Sequence, residues 1–149
     1  MGLRDLGQQA IHASTVVPRL WTAATRAGVG PSGAVTALLV SQAALRTAAV
    51  HGAGVPGRTN ALRHFLWQAV LTARIGREAA AAIAVAQEAG SPAVKDSRID
   101  VHNNAVGQDY GAAHAAELAQ GSAAAAVERL VPVAIEKWDA DELIWIRPH

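Results

Sequence analysis

Apolar residues recur along most of this chain at steps of three and four, and the recurrence breaks wherever glycine and proline gather. Over 60–75, Leu62, Phe65, Leu66, Ala69 and Ala73 form one apolar stripe, and His64, Trp67, Leu71 and Ile75 form a second almost opposite. A helix with two apolar faces needs neighbours on both sides, so 60–75 is predicted to be the central helix of the domain. GVGPSG separates an N-terminal helix over about 5–27, broken near Pro18, from a helix over 34–50. HGAGVPG at 51–57 leads into the central helix, with Thr59 or Asn60 placed to cap it. The next helix, over 77–89, closes at Gly90, Ser91 and Pro92. PAVKDSRI reads as a polar connection, Asp100 as the cap of a helix over 101–119, and Ser122 as the start of a last helix through Trp138. LIWIRP is β-branched and aromatic, and reads as a short extended segment. The pattern predicts one all-α domain over 1–149: a compact bundle of about five or six helices around 60–75, with an extended C-terminal end.

Composition sharpens this picture. Half of the 149 residues are apolar but only 4% are aromatic, so the core is built from Ala, Val, Leu and Ile, and small side chains let helices approach closely. The net charge of +1 is spread along the chain and makes no basic stripe of the kind nucleic-acid binders carry. Without cysteine there are no disulfides, thiolate ligands or thiol nucleophile. MGLRDLGQQAIHAS has an acid and several polar residues before any apolar run, unlike a classical signal peptide. AVTALLVSQAALRTAAV contains Gln42 and Arg46 and reads as a core helix, so no membrane span is expected.

Candidate chemistry lies in two places. His64 is on an inward face of the central helix, and a buried imidazole needs a hydrogen-bond partner or a metal. Beside it, Arg63 sits on the boundary between the faces, where a guanidinium seeks a carboxylate or phosphate oxygen. The second place is IDVHNNAVGQDY, residues 99–110, which sets Asp100, His102, Asn103 and Asn104 at the expected start of a helix, where free N–H groups favour negative charge. Gly107 within that helix points to a close approach by another helix or a ligand.

NALRHFLWQAVLTARIG and IDVHNNAVG together resemble a bacterial domain family with the pattern N-A-x-R-H-x-x-W, then H-E, then D-x-H-N-N-x-x-G. Such domains look like those at the C-termini of secreted wall-associated and Rhs-type proteins, where polymorphic toxins sit. The resemblance spans roughly 42–147 and leaves 1–41 as an N-terminal helical extension. Position by position it covers Asn60, Arg63, His64, Trp67, Glu88, Asp100, His102, Asn103, Asn104 and Gly107, while Gln87 stands where the family pattern has histidine. It implies a secreted or delivered effector that acts in a target cell and is held in check by a cognate immunity protein.

Three chemistries fit these residues. His64, His102 and Asp100 could hold a divalent metal as an N/O site. Alternatively, His64 and His102 form a metal-free acid–base pair, or the cluster is a buried network that fixes helix packing. The expectation carried forward is a toxin-like hydrolase on a phosphate-containing substrate, nucleic acid or lipid. His64, His102, Arg63 and Glu88 would be catalytic, and Asn103, Asn104, Trp67 and Tyr110 would contact substrate. The competing expectation is a non-enzymatic helical toxin or adaptor whose polar cluster is structural. On the first, the two histidines face one another closely enough to share a water or a metal.

Overall fold

A computed structural model of the chain describes residues 20–88 and 94–145, with side chains described over 20–87 and 98–145. The protein is all-α. The described part of α1 covers 20–26, followed by α2 (Gly30–His51), α3 (Pro56–Ile75), α4 (Arg77–Glu88), α5 (Val94–Ala113), the single turn α6 (Ala115–Leu118) and α7 (Ala123–Asp139). No strand occurs among the described residues.

The doubly apolar helix is the centre. α3 packs against α2, α4, α5, α6 and α7, and Leu62, Phe65, Leu66, Val70 and Leu71 are almost completely enclosed. It starts four residues before the predicted 60, because Pro56 occupies the first turn, where its missing N–H would have had no helical partner. Thr59 and Asn60 therefore lie inside the helix and do not cap it; the Thr59 hydroxyl donates back to the Val55 carbonyl at 3.2 Å. Gly76, at φ +96, ends the helix, and its N–H donates to the Thr72 carbonyl.

α5 also starts early, at Val94 and not 101. Polar residues are tolerated on the exposed side of a helix, so a polar first turn leaves no apolar period to detect. One consequence reaches the site: Asp100 is an interior residue of α5 and not its cap. At its other end the predicted 101–119 helix is interrupted at His114, whose backbone leaves helical geometry before α6 begins. Ser122 does cap α7, its hydroxyl accepting from the Ala125 N–H at 3.1 Å. The N-terminal helix expected from residue 5, its break at Pro18, the stop at Gly90 to Pro92 and the last residues of the LIWIRP segment lie outside the described residues.

α3 and α5 run parallel, in a register read directly from their polar contacts. Asn60 pairs with Asp100, His64 with Asn104 and Gln68 with Gln108, each pair 40 positions apart and each one helical turn beyond the last. Between and beyond these rungs the backbones touch. A Cβ on Gly107 would lie 2.8 Å from the Phe65 carbonyl oxygen, and one on Gly111 would collide with the Ala69 carbonyl. Gly107 thus answers to a helix neighbour. α4 carries the chain back between the two parallel helices and packs against both.

α2 buries eight residues, Gly33 to Ala48, and packs against α3 and α7. It is long and apolar enough to cross a membrane by length and composition, with 44% of that window buried inside the domain. After α7 the chain turns at Asp141, in the left-handed region at φ 59, and residues 142–145 run without regular structure over α5, with Leu143 buried.

Candidate functional site

The two motifs meet at the first two rungs of the α3–α5 ladder. Asn60 bridges the helices: its Nδ2 donates to Asp100 Oδ1 at 2.8 Å, while its Oδ1 accepts from the Arg63 guanidinium at 3.1 Å. One turn on, His64 is buried at 7% exposure, with Nδ1 2.8 Å from Asn104 Oδ1 and Nε2 3.2 Å from an Arg63 nitrogen and 3.3 Å from Asp100 Oδ1. These partners select a protonation state. An amide oxygen only accepts and a guanidinium only donates, so Nδ1 carries the proton and Nε2 presents its lone pair to Arg63.

The electrostatics agree with a neutral ring. Burial pushes the His64 pKa down to about 4, with the adjacent Arg63 charge acting in the same direction; Asp100 and the Asn104 hydrogen bond oppose them. Burial also lowers the pKa of Arg63, against the attraction of Asp100. Arg63 donates to an amide oxygen and an imidazole nitrogen, and no described carboxylate lies within ion-pair distance of it. Among the described residues, its positive charge is offset by Asp100 from a distance.

The rest of D-x-H-N-N faces elsewhere. His102 lies two residues beyond Asp100, about 200° around the helix, and is exposed; its Nε2–H donates to the Glu142 carbonyl at 2.9 Å. Asn103 uses both ends of its amide on one residue, donating to the Ile144 carbonyl at 3.0 Å and accepting from the Ile144 N–H at 2.9 Å. This motif has two working faces. Asp100 and Asn104 hold the Asn60–Arg63–His64 face of α3, while His102 and Asn103 hold the C-terminal tail.

Several expectations are corrected by this geometry. His64 and His102 share no partner and do not form a pair, because helical rotation turns His102 to a side of α5 other than the one that meets His64 on α3. The metal set His64, His102 and Asp100 is not assembled either: among the described residues no three His, Asp or Glu side chains are placed to hold an ion. Asn103 is engaged by the tail and does not face the cluster, whereas Asn104 orients His64. Trp67, 6% exposed, is part of the core, its ring edge-on to His64 with centroids 6.0 Å apart, and offers no platform to a substrate. Tyr110 lies ten residues along α5 from Asp100, about 15 Å, where it stacks on His114 with centroids 4.1 Å apart. The Glu88 side chain lies outside the described residues.

Sequence reasoning offered Asn60 only as a helix cap and a motif member, not as the residue that ties Arg63 to Asp100, and it assigned no role to the Gln68–Gln108 rung. The signal was present as matched four-residue steps, 60, 64, 68 on one helix and 100, 104, 108 on the other. It also missed Gly57, against which the indole of Trp145 rests so closely that a Cβ there would collide with the ring. Two clefts lie away from the cluster: one of about 200 Å³ is bounded by Ala43, Thr47, Val50 and Glu128, and another is bounded by the starts of α2 and α4 together with Arg74 and Arg77.

Neither a curated protein nor a solved structure matches the chain. A family model described as Domain of unknown function (DUF6973) matches residues 30–134, from the first residue of α2 to within the last turns of α7, and so takes in both motifs. The chain belongs to that family.

Proposed function

We propose that this domain is a toxin-like effector that hydrolyses a phosphate-containing substrate, nucleic acid or lipid, at the Arg63–His64–Asp100 cluster. The observation that carries the reading is Arg63. A desolvated guanidinium with no carboxylate among the described residues in contact is costly, and an anionic substrate group removes that cost. Delivery into a target cell, and an immunity protein that blocks the site, are supported by the resemblance to the C-terminal domains of secreted wall-associated proteins.

One histidine suffices for this chemistry. A phosphate on Arg63 neutralises one of the two influences that depress the His64 pKa, so the substrate itself raises the basicity of Nε2. Nε2 then takes a proton from water as the water oxygen bonds to phosphorus. Asp100, 3.3 Å away, stabilises the imidazolium, which returns the proton to the ester oxygen as its bond to phosphorus breaks. Asn104 holds the ring in the tautomer this requires.

The competing reading is a non-enzymatic helical module with a structural cluster, and a specific observation favours it: both His64 nitrogens already have protein partners. Expression of the native domain and of Arg63→Leu inside bacterial cells, with thermal melts of both proteins, separates the two. The hydrolase reading expects toxicity to vanish while the melting temperature stays within a few degrees. Undiminished toxicity supports the non-enzymatic module. A fall in stability of roughly 3–5 kcal/mol would make Arg63 half of a buried structural pair.

A further inference from the structure

α2 has the same two-sided apolar character as α3, with a different outcome. One face, Gly33 to Ala48, is buried against α3 and α7. On the opposite face Val35, Leu39, Gln42, Arg46 and Val50 follow one another at steps of three and four, and so form a single stripe about 22 Å long, flanked by Leu45. All six are exposed, Leu39 by 52% and Val50 by 76%. No Asp or Glu occurs anywhere in α2, and Arg46 is the single arginine or lysine of the helix. The outer face of α7 is of the ordinary kind, with Glu128, Arg129, Glu136 and Asp139 turned to water. A helix that is apolar on two sides needs cover on both, and a long run of exposed apolar residues marks a contact surface. α3 finds its second cover within the domain; among the described residues, α2 does not.

We propose that the outer face of α2 docks on an anionic lipid bilayer, the helix lying flat in the headgroup layer with Leu39 and Val50 inserted and Arg46 on lipid phosphate. The surface is independent of the anion site at Arg63. α2 has the length and hydropathy of a membrane span, but its inner face is already packed on α3 and α7, so in the folded domain only the outer face can meet lipid. Charge selects the occupant. In a two-fold dimer this stripe would meet itself, and Arg46 would be desolvated with no carboxylate on the stripe to receive it. At a bilayer surface the arginine stem lies along the apolar layer while the guanidinium reaches the phosphates. A second cation stands at the same end: Arg58, whose Nε donates to the His51 carbonyl at 3.1 Å, is fixed beside the last turn of α2. Glu128, across the cleft from Arg46, accepts from the Thr47 hydroxyl at 3.0 Å on the side turned to α7. An apolar stripe with basic and no acidic side chains is the composition of a helix that rests in an anionic interface.

Co-sedimentation with vesicles tests the surface, using phosphatidylcholine alone and phosphatidylcholine mixed with phosphatidylglycerol in roughly equal parts. The native chain is expected to bind the mixed vesicles and to bind pure phosphatidylcholine far more weakly. Leu39→Glu combined with Val50→Glu should reduce binding at least tenfold, and Arg46→Gln about fivefold, the usual worth of one basic residue at an anionic surface. Val85→Glu, at an equally exposed apolar position on α4, should leave binding unchanged. Thermal melts of each variant separate lost binding from lost folding. Because the chain has no cysteine, a single cysteine at position 39, 50 or 85 also carries an environment-sensitive fluorophore that reads insertion directly. Labels at 39 and 50 should shift to the blue on mixed vesicles, and the label at 85 should not. Absence of binding by the native chain, or equal binding by the folded double-glutamate variant, overturns the proposal. So does a blue shift at 39 and 50 without vesicles: one that grows with protein concentration assigns the stripe to a second copy, and one independent of concentration means that the chain covers its own stripe.

Discussion

The second and third rungs of the α3–α5 ladder have the same geometry and different chemistry. His64–Asn104 and Gln68–Gln108 are both 40 positions apart, both close at 2.8 Å and both lie between the same two helices. The glutamine rung is neutral at every pH and pairs with no charged neighbour. The histidine rung sits beside a guanidinium and a carboxylate, and carries a group whose protonation changes its charge. Register between helices thus needs only amides, as the third rung demonstrates. The charged residues at the first two rungs go beyond what register requires, and that excess is the physical argument for a site at this end.

Both rungs depend on how closely the backbones approach, so the strongest way to break the comparison is to separate the helices. A Cβ at Gly111 would collide with the Ala69 carbonyl, a backbone atom that cannot rotate aside. Gly111→Ala is expected to destabilise the domain by about 3 kcal/mol, the upper end of overpacking costs, read from urea unfolding. A loss below about 1 kcal/mol would mean that the polar rungs and not the glycine contact set the helix spacing.

Acid distinguishes the two rungs next. The His64 pKa is held down to about 4 in the fold, against 6.5 in its ordinary state. Between these values the unfolded chain binds a proton that the folded chain refuses. Stability is therefore full above about pH 6.5 and falls as pH drops towards 4, where the loss levels off. The gap is worth roughly 3 kcal/mol at most. His64→Leu combined with Asn104→Leu should remove this slope, whereas leucines at both Gln68 and Gln108 should leave it intact. Unfolding curves at pH 7 and pH 4.5 check the pair.

Much of the fold was legible because apolar periodicity survives in an alanine-rich chain: two opposite stripes on 60–75 identified the central helix. Helix starts were less legible. Pro56 opens α3 where a loop was expected, and a polar first turn hid the start of α5. Within the site, Arg63, His64, Asp100 and Asn104 were identifiable as types, but their grouping was not. Asp100, His102, Asn103 and Asn104 are neighbours in sequence, yet each residue turns about 100° from the last, so the set divides between two faces. Only the matched steps of four in both helices encode which members meet, and reading them requires knowing that the helices are parallel. The tail contacts lay beyond sequence reasoning altogether, since they depend on where α7 ends and on the missing Cβ of Gly57, whose place the Trp145 indole takes.

The smallest effect gives the finest test of whether the rungs differ in purpose. Gln68 Nε2 is buried and has no hydrogen-bond partner, so the glutamine rung already carries an unpaid polar group. Replacing both Gln68 and Gln108 with leucine removes that group together with the pair, and stability is expected to change by less than about 1 kcal/mol, in either direction. Gln68→Leu alone strands the Gln108 amide without its acceptor and should cost about 1–3 kcal/mol. A double-mutant cycle on the histidine rung should show the same non-additive pattern in stability at pH 7, since Asn104→Leu alone strands the Nδ1–H of His64. The rungs should part in phosphate binding and in toxicity. Both should persist in the double-leucine glutamine variant and be lost in the double-leucine histidine variant at equal stability. If the histidine variant keeps both, the second rung is a structural pair like the third, and the excess of charge beside it has no chemical role.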